Sequence, residues 1–327
     1  MAGTEVLMKV NFLGTRGSLP AAANTLELRR KILGALKSLK GERFASEDDI
    51  RGFVEKVVPF SLAGHYGTNT PCVEITGERG RVICDAGTGI RDLSRRLGIA
   101  PGTGPGGRVF HIVLSHLHWD HIQGFPFFMP LYVEGNRIVV YGGHSDMEAA
   151  LDYQRRHANV PLPVKADMSF KRLEPGGQYE IAGFQVEVIS QNHPGDSYGY
   201  RFEAGGKSVV YSTDSEHLEE GSADERRFME FFRDADLVII DAQYPLLDAF
   251  SVKENWGHSN NIVAVELGAK AGVRRLVLFH NEPTVDDLAL ETFLNDTRRY
   301  LKIYDPQSTM TADLAYDGME IEIQRPC

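Results

Sequence analysis

The sequence has little cysteine: among 327 residues there are only Cys72, Cys84 and Cys327. Three thiols make no disulfide framework. Cys72 and Cys84 fall on neighbouring expected strands, where buried reduced thiols are the expectation over a bridge. No apolar run is long enough to span a bilayer. Met1 to Glu5 offer neither a basic nor an apolar leader region, so no signal peptide is expected. Together these absences point to the cytoplasm. An excess of basic charge is also missing, since the formal net charge is −10. A large nucleic acid is therefore not the expected partner, because wide phosphate contacts need a basic surface. A small anionic substrate stays open, because a bound metal inverts the local field. No Pro/Ser/Gly-rich linker divides the chain, so a single domain over 1–327 is expected.

What is present is ordinary globular material, with 42% hydrophobic and 24% charged residues. That is enough for a large core or two packed layers. Val6 to Leu13 reads as a strand ending in Gly14-Thr15-Arg16-Gly17-Ser18. Thr25 to Leu39 has apolar residues close to helical spacing. Ser46-Glu47-Asp48-Asp49 opens a second helix through Val58 as a capping box. These helices form an insertion over about 22–60, readable as a solvated decoration, a lid or a dimer contact. Cys72 to Thr76 pairs with Val82 to Asp85, and Gly102 to Gly107 is a loop. Gly124 to Pro130 is too short and Pro-broken for a helix. Arg137 to Tyr141 is a strand and Met147 to His157 a helix.

The second half alternates similarly. Strands are expected at Phe184 to Ile189, Tyr198 to Glu203, Ser208 to Tyr211, Leu237 to Asp241 and Leu276 to Phe279. A hairpin turn falls at Ala204-Gly205-Gly206. Helices are expected at Glu225 to Phe232, Asn261 to Ala271 and Val285 to Tyr300, before a last strand ending near Ile323. Two sheets back to back with helices outside follow, an α/β architecture of αββα type.

The densest chemistry is Ser115-His116-Leu117-His118-Trp119-Asp120-His121. Three imidazoles and a carboxylate leave the end of an apolar strand, Val109 to Leu114, on an expected loop. This donor set suits zinc and similar divalent ions. His193, Asp214, Asp241 and His280 stand similarly just past short apolar strands. Several such sites on strand ends are best explained by one metal centre at a common edge. His258, in Trp256-Gly257-His258-Ser259, precedes a helix. His65, His111, His144, His157 and His217 show no partner pattern and read as structural or surface groups.

In this order, His116-x-His118-x-Asp120-His121, Asn192-His193-Pro194-Gly195, Ser212-Thr213-Asp214, Gly257-His258-Ser259 and Leu278-Phe279-His280 resemble the metallo-β-lactamase-fold hydrolases. The similarity is to the phosphodiesterase branch that includes ribonuclease Z and cyclic-nucleotide phosphodiesterases, and it fails over residues 20 to 60. The resemblance implies two divalent metal ions per chain, zinc first, with Mn²⁺ or Fe²⁺ as alternatives. His116, His118 and His193 would hold one; Asp120, His121 and His280 the other; Asp214 would bridge them. Two metals sharing a hydroxide lower its pKa toward about 7. His258 is then the acid or phosphate-oxygen donor. Asp241 is either its partner or a cap on nearby backbone. Asp120 counts in the catalytic set as well as among the ligands. Asp85 either orients a ligand imidazole or serves only its turn. Phe125, Phe127, Phe128 and Met129 line either a base pocket or a packed or dimeric surface.

The expected activity is hydrolysis of a small phosphodiester, a 3′,5′-cyclic nucleotide foremost, by the metal-bridging hydroxide. The alternative is a ribonuclease Z-like RNA 3′-processing endonuclease, which calls for a Gly/Pro-rich basic arm that the sequence does not offer between His193 and Asp214 or near Asp241. A thioester or lactone hydrolase shares the first motif but has no need of Gly257-His258-Ser259. Oxygen-reducing relatives usually carry Glu where His118 stands. A non-enzymatic binding protein is disfavoured by the complete ligand set. The resemblance and the apolar stretch after His121 suggest a homodimer.

Overall fold

Why these strands lie between two covered faces is visible in their side chains. In a computed structural model, residues 6–100, 106–157, 163–217, 221–243 and 257–325 are described. Leu237–Asp241 and Arg275–Phe279 are apolar at every inner position, without the polar alternation of a half-solvated strand. Leu237, Ile239, Val277 and Phe279 point into one core; Val238, Ile240, Leu276 and Leu278 point into another. The period of two places alternate residues on opposite faces, so both faces must be buried.

The first sheet contains β1 (Val6–Gly14), β2 (Cys72–Gly77), β3 (Arg81–Cys84), β4 (Val109–Val113), β5 (Arg137–Gly142) and β6 (Asp167–Arg172). The second contains β7 (Gln178–Ile181), β8 (Phe184–Gln191), β9 (Ser197–Ala204), β10 (Lys207–Ser212), β11 (Leu237–Asp241), β12 (Arg275–Phe279) and β13 (Thr311–Leu314). The last strand, β14 (Glu320–Gln324), returns to the first sheet. The spatial orders are β14-β1-β2-β3-β4-β5-β6 and β13-β12-β11-β10-β9-β8-β7. One core fills the space between the sheets. A second lies under α7 (Ala223–Phe232), α8 (Asn261–Lys270) and α9 (Asp287–Tyr304). A third lies under α4 (Ile90–Arg96), α5 (Trp119–Ile122) and α6 (Met147–His157). The result is the expected αββα sandwich.

The parallel neighbours β10, β11 and β12 finish at one edge. In the first sheet, β3 and β4 are parallel as well. Residues just past these ends therefore collect along one rim.

The insertion forms as α1 (Thr25–Ser38) and α2 (Glu47–Lys56), followed by a single turn, α3 (Phe60–Ala63). Asn24 with Glu27 and Ser46 with Asp49 make two reciprocal capping boxes. The second helix stops at Lys56 rather than Val58, because Pro59 ends the run. Other boundaries also differ from expectation. Asp120 and His121 lie on a helical turn rather than a loop. Gly124 to Pro130 winds into two short 3₁₀ turns, Phe125–Phe127 and Met129–Tyr132. The last long helix begins at Asp287, where Asp286 accepts the Ala289 N–H at 2.9 Å, and runs on to Tyr304. Strands β6 and β7 had no clear signal, being half-exposed sheet edges without a continuous apolar run. Most of the Gly102 to Gly107 loop, Trp256, Cys327 and the His157 side chain lie outside the described residues. Cys72 and Cys84 are buried and free, as expected. No described helix is long and apolar enough to cross a membrane.

Candidate metal centre

Each donor reaches the rim by a local device. After β4, the chain bends at Ser115 and is extended again at His118, whose side chain caps no backbone group of the following turn. The turn of α5 then swings Asp120 and His121 to the other side. His118 Nδ1 comes within 3.1 Å of His193 Nε2, and the His116, His118 and His193 donor atoms all lie within 4.8 Å of one another. On the other side, His280 Nε2 is 3.1 Å from Asp120 Oδ2 and 3.3 Å from His121 Nε2.

Asp214 lies between the two groups, and its two oxygens face different ways. Oδ2 is 3.6 Å from His116 Nε2 and 3.8 Å from His193 Nε2. Oδ1 is 3.4 Å from His121 Nε2 and 3.5 Å from His280 Nε2. Asp214 and His280 both adopt positive φ, +53° and +64°. Such left-handed backbone costs of order 1–3 kcal/mol per residue. It turns each side chain back over the strand end it follows.

The donor chemistry fits divalent cations. His116 Nε2 is buried without a hydrogen-bond partner, while its Nδ1 is 3.0 Å from Ser115 Oγ. His121 gives its Nδ1 proton to Asp85 Oδ2 at 2.7 Å, which leaves Nε2 to offer a lone pair wherever a cation takes the place of a proton there. That nitrogen faces the Asp120 and Asp214 carboxylates. Acceptors facing acceptors in a buried space need a positive charge between them. The titration tendencies agree. Burial would lower the His121 pKa, but Asp214, Asp120 and Asp85 raise it well above its ordinary value. Burial would raise the Asp120 and Asp214 pKa values, yet neighbouring imidazoles hold both below the usual carboxylate range. Burial drives His116 the other way, well below the ordinary imidazole value.

Behind the donors, Asp85 is fully buried and accepts from Ser115 N, Ser115 Oγ and Tyr211 OH, each at 2.7 Å, besides His121. Of the two roles open for Asp85, the orienting one is present. His193 Nδ1 donates to Gly257 O at 2.9 Å. His258 Nδ1 donates to Asp241 Oδ2 at 2.7 Å, so Asp241 is a partner of His258. It also accepts the Gln243 N–H at 3.1 Å, a backbone role beside the first. Burial alone would lower the His258 pKa; Asp241, then Asp214 and Asp120, raise it to about 9. Bound cations would oppose that rise.

Every residue singled out in the sequence is thus brought to one place, while the aromatic stretch divides. Phe125 and Phe128 are core, and only Phe127 is exposed. Sequence reasoning missed Ser18, whose N–H binds Asp120 Oδ2 at 2.8 Å. It missed Gly17, where a Cβ would stand 2.3 Å from His280 Nδ1, and Tyr211. The Arg16-Gly17-Ser18 turn after β1 was a usable signal; Tyr211 gave none, reading as ordinary strand. His144 also has a role, its Nε2 lying 3.1 Å from the Gly195 carbonyl beside His193.

An αββα sandwich with divalent-cation donors along one strand-end rim defines the metallo-β-lactamase fold. The family model described as "Beta-lactamase superfamily domain" matches residues 80–281, and the chain belongs to that superfamily. It is a metal-dependent hydrolase. It is 26% identical over 207 residues to "Probable metallo-hydrolase YhfI" of Bacillus subtilis, covering 61% of this chain and 74% of that one. It is 30% identical to the Staphylococcus carnosus ribonuclease Z over 109 residues, 30% of this chain, and spans only 32% of that enzyme. A Bradyrhizobium diazoefficiens ribonuclease Z is 22% identical over 75% of this chain and 92% of its own. Among solved structures, YhfI aligns with TM-score 0.61 at 20% identity, over 97% of this chain and 99% of that one. A diphosphatase from the PhnP family aligns at 0.60 and 20%, over 97% and 98%. Yeast PDE1 aligns at 0.60 and 12%, over 98% and 100%. These structural likenesses concern the fold.

Proposed function

We propose that this chain hydrolyses a small phosphodiester, foremost a 3′,5′-cyclic nucleotide, at a centre of two divalent cations. The observation carrying this reading is His258, fixed by Asp241 at 2.7 Å beside both donor groups, each of which has three donors besides it. His116, His118 and His193 would hold one cation, and Asp120, His121 and His280 the other, with one Asp214 oxygen toward each. When bound, the cations supply Lewis acidity and lower the pKa of water. The protein's own part is orientation and proton control. Asp85 keeps the His121 proton on Nδ1, away from the centre. Asp241 holds the His258 ring by Nδ1, so that Nε2 is the edge that would donate to a phosphate or leaving oxygen. Asp120 acts both as a donor and as the carboxylate that orients water.

Zinc is the expected ion, with Mn²⁺ or Fe²⁺ acceptable to the same N/O set. The chain acts as a single cytoplasmic domain over 1–327, as a homodimer. The net charge of −10 favours a small substrate over a long RNA. The named ribonuclease Z relatives favour RNA cleavage as the second reading.

The test is a substrate panel with metal analysis. Zinc- or manganese-loaded protein should hydrolyse bis(p-nitrophenyl) phosphate, and a cyclic nucleotide should be turned over better. His258→Ala should lower turnover about 10²–10⁴-fold with metal content still near two per chain. Loss of one metal in that variant would make His258 a ligand. Better cleavage of precursor tRNA selects the second reading. Turnover of thioesters or lactones alone would overturn both.

A further inference from the structure

Helices α1 and α2 present their apolar sides outward. Neither buries a single residue, although both are fully capped. On α1, Leu28, Ile32, Leu33 and Leu36 are 50–60% exposed; on α2, Ile50 and Val54 are 47% and 40% exposed. The side of α1 that meets the body is small and polar. Lys31 bonds Gly64 O and Asp287, and a Cβ on Gly34 would meet Leu62 at 2.7 Å. Isolated helices of 14 and 10 residues are marginal in water, and packing of an apolar face supplies most helical stability in proteins. Phe53 of α2 packs on Phe44, but the outward stripes Leu28-Ile32-Leu33-Leu36 and Ile50-Val54 are left without such packing among the described residues.

The charges indicate what supplies it. Residues 25–43 carry six basic and two acidic side chains; residues 46–56 carry four acidic and two basic. Arg30 and Lys37, seven residues apart, lie on one flank of the α1 face. Asp48 and Glu55, also seven apart, lie on the corresponding flank of α2. The spacing is two turns in each case, roughly 10 Å. Between them Arg51 is held within α2, 3.7 Å from Glu47 and 4.0 Å from Asp48. An anionic membrane would suit α1 but repel α2. A partner of one charge sign meets the same conflict. A second copy related by a two-fold axis satisfies both helices twice.

We propose that the insertion is a self-complementary dimerisation surface, in which α1 of each chain lies against α2 of the other. This deepens the dimer in the reading above and depends on no catalytic step. Light scattering on the full chain at micromolar concentration should give twice the 36.4 kDa chain mass. Ile32→Glu with Leu36→Glu should halve that mass, with circular dichroism and hydrolysis of bis(p-nitrophenyl) phosphate retained. Arg30→Glu with Lys37→Glu should weaken the dimer, and adding Asp48→Lys with Glu55→Lys should restore it. A monomeric wild type, or a dimer that survives Ile32→Glu/Leu36→Glu, overturns the proposal. So does the absence of rescue by the fourfold charge exchange. Wild-type monomer that pellets with anionic phosphatidylserine vesicles overturns it in favour of a membrane surface. Because mass is read without substrate, failure of the phosphodiesterase reading would leave this result intact.

Discussion

Asp85 makes no contact with the space its neighbours enclose, yet it sets what they can do there. Its carboxylate takes four donors and fixes which His121 nitrogen carries a proton. Asp85→Asn keeps the shape and removes an acceptor, so the His121 tautomer is no longer enforced. Orienting partners of ligating imidazoles typically contribute 10–100-fold to metal affinity. Competition with a chelator should show a weakening of that order, with folding retained. Unchanged affinity would mean that Asp85 serves only its own turn, which also has positive φ, +61°. Residue types were readable in advance because histidine and aspartate in this pattern have few other uses. Their backbone conformations were not readable. Asp and His tolerate left-handed φ better than most residues, but the sequence does not say which will adopt it.

At the scale of elements, the rim is a property of strands that end together. Short apolar runs followed by His or Asp were plain in the sequence because both strand faces are buried, and such runs differ from their surroundings. Edge strands β6 and β7 were not, since half-exposed edges carry a mixed pattern. The insertion was legible as two capped helices, but periodicity alone does not say toward which side an apolar stripe faces. Turns hold the donors as firmly as the strands do. Gly17 packs so closely that an added Cβ would fall 2.3 Å from His280 Nδ1, inside the 3.0 Å that real Cβ atoms respect. Gly17→Ala should therefore displace His280, cut hydrolysis at least about tenfold, and lower metal content toward one ion per chain. Gly52→Ala, with open space around it, is the control and should change neither. Equal metal content in both variants would show that the turn yields without moving the donor.

Across the whole molecule, acid sensitivity should arise partly away from the metal centre. His217 is buried against Phe228, ring centroids 4.2 Å apart, with neither nitrogen paired. Burial lowers its pKa to about 4, against partial support for the charged form from Asp224 and Asp241. The unfolded chain therefore binds a proton that the folded one refuses between about pH 6.5 and 4. The neutral-form contribution is complete above about 6.5 and is lost as pH falls toward 4, a total of roughly 3 kcal/mol. His217→Phe keeps a ring on Phe228 and removes the titration. In urea unfolding the variant should hold a constant difference from wild type near pH 7 and gain on it from about pH 6.5 down to 4.5. A constant difference across that range would refute the argument.

The rim also draws its donors from both sheets and from a stretch, His116 to His280, that is about half the length of the chain. His116 to His121 leave a strand of the first sheet; His193, Asp214 and His280 leave strands of the second. A chain emerging from the ribosome exposes its first imidazoles long before the sheet that completes their cage exists. Until residue 280 has left the exit tunnel and β12 has docked, an ion held by the earlier cluster has only part of its coordination. Catalytic competence is therefore among the last properties the nascent protein acquires, and a prematurely terminated product lacking β12 carries metal donors without the enzyme.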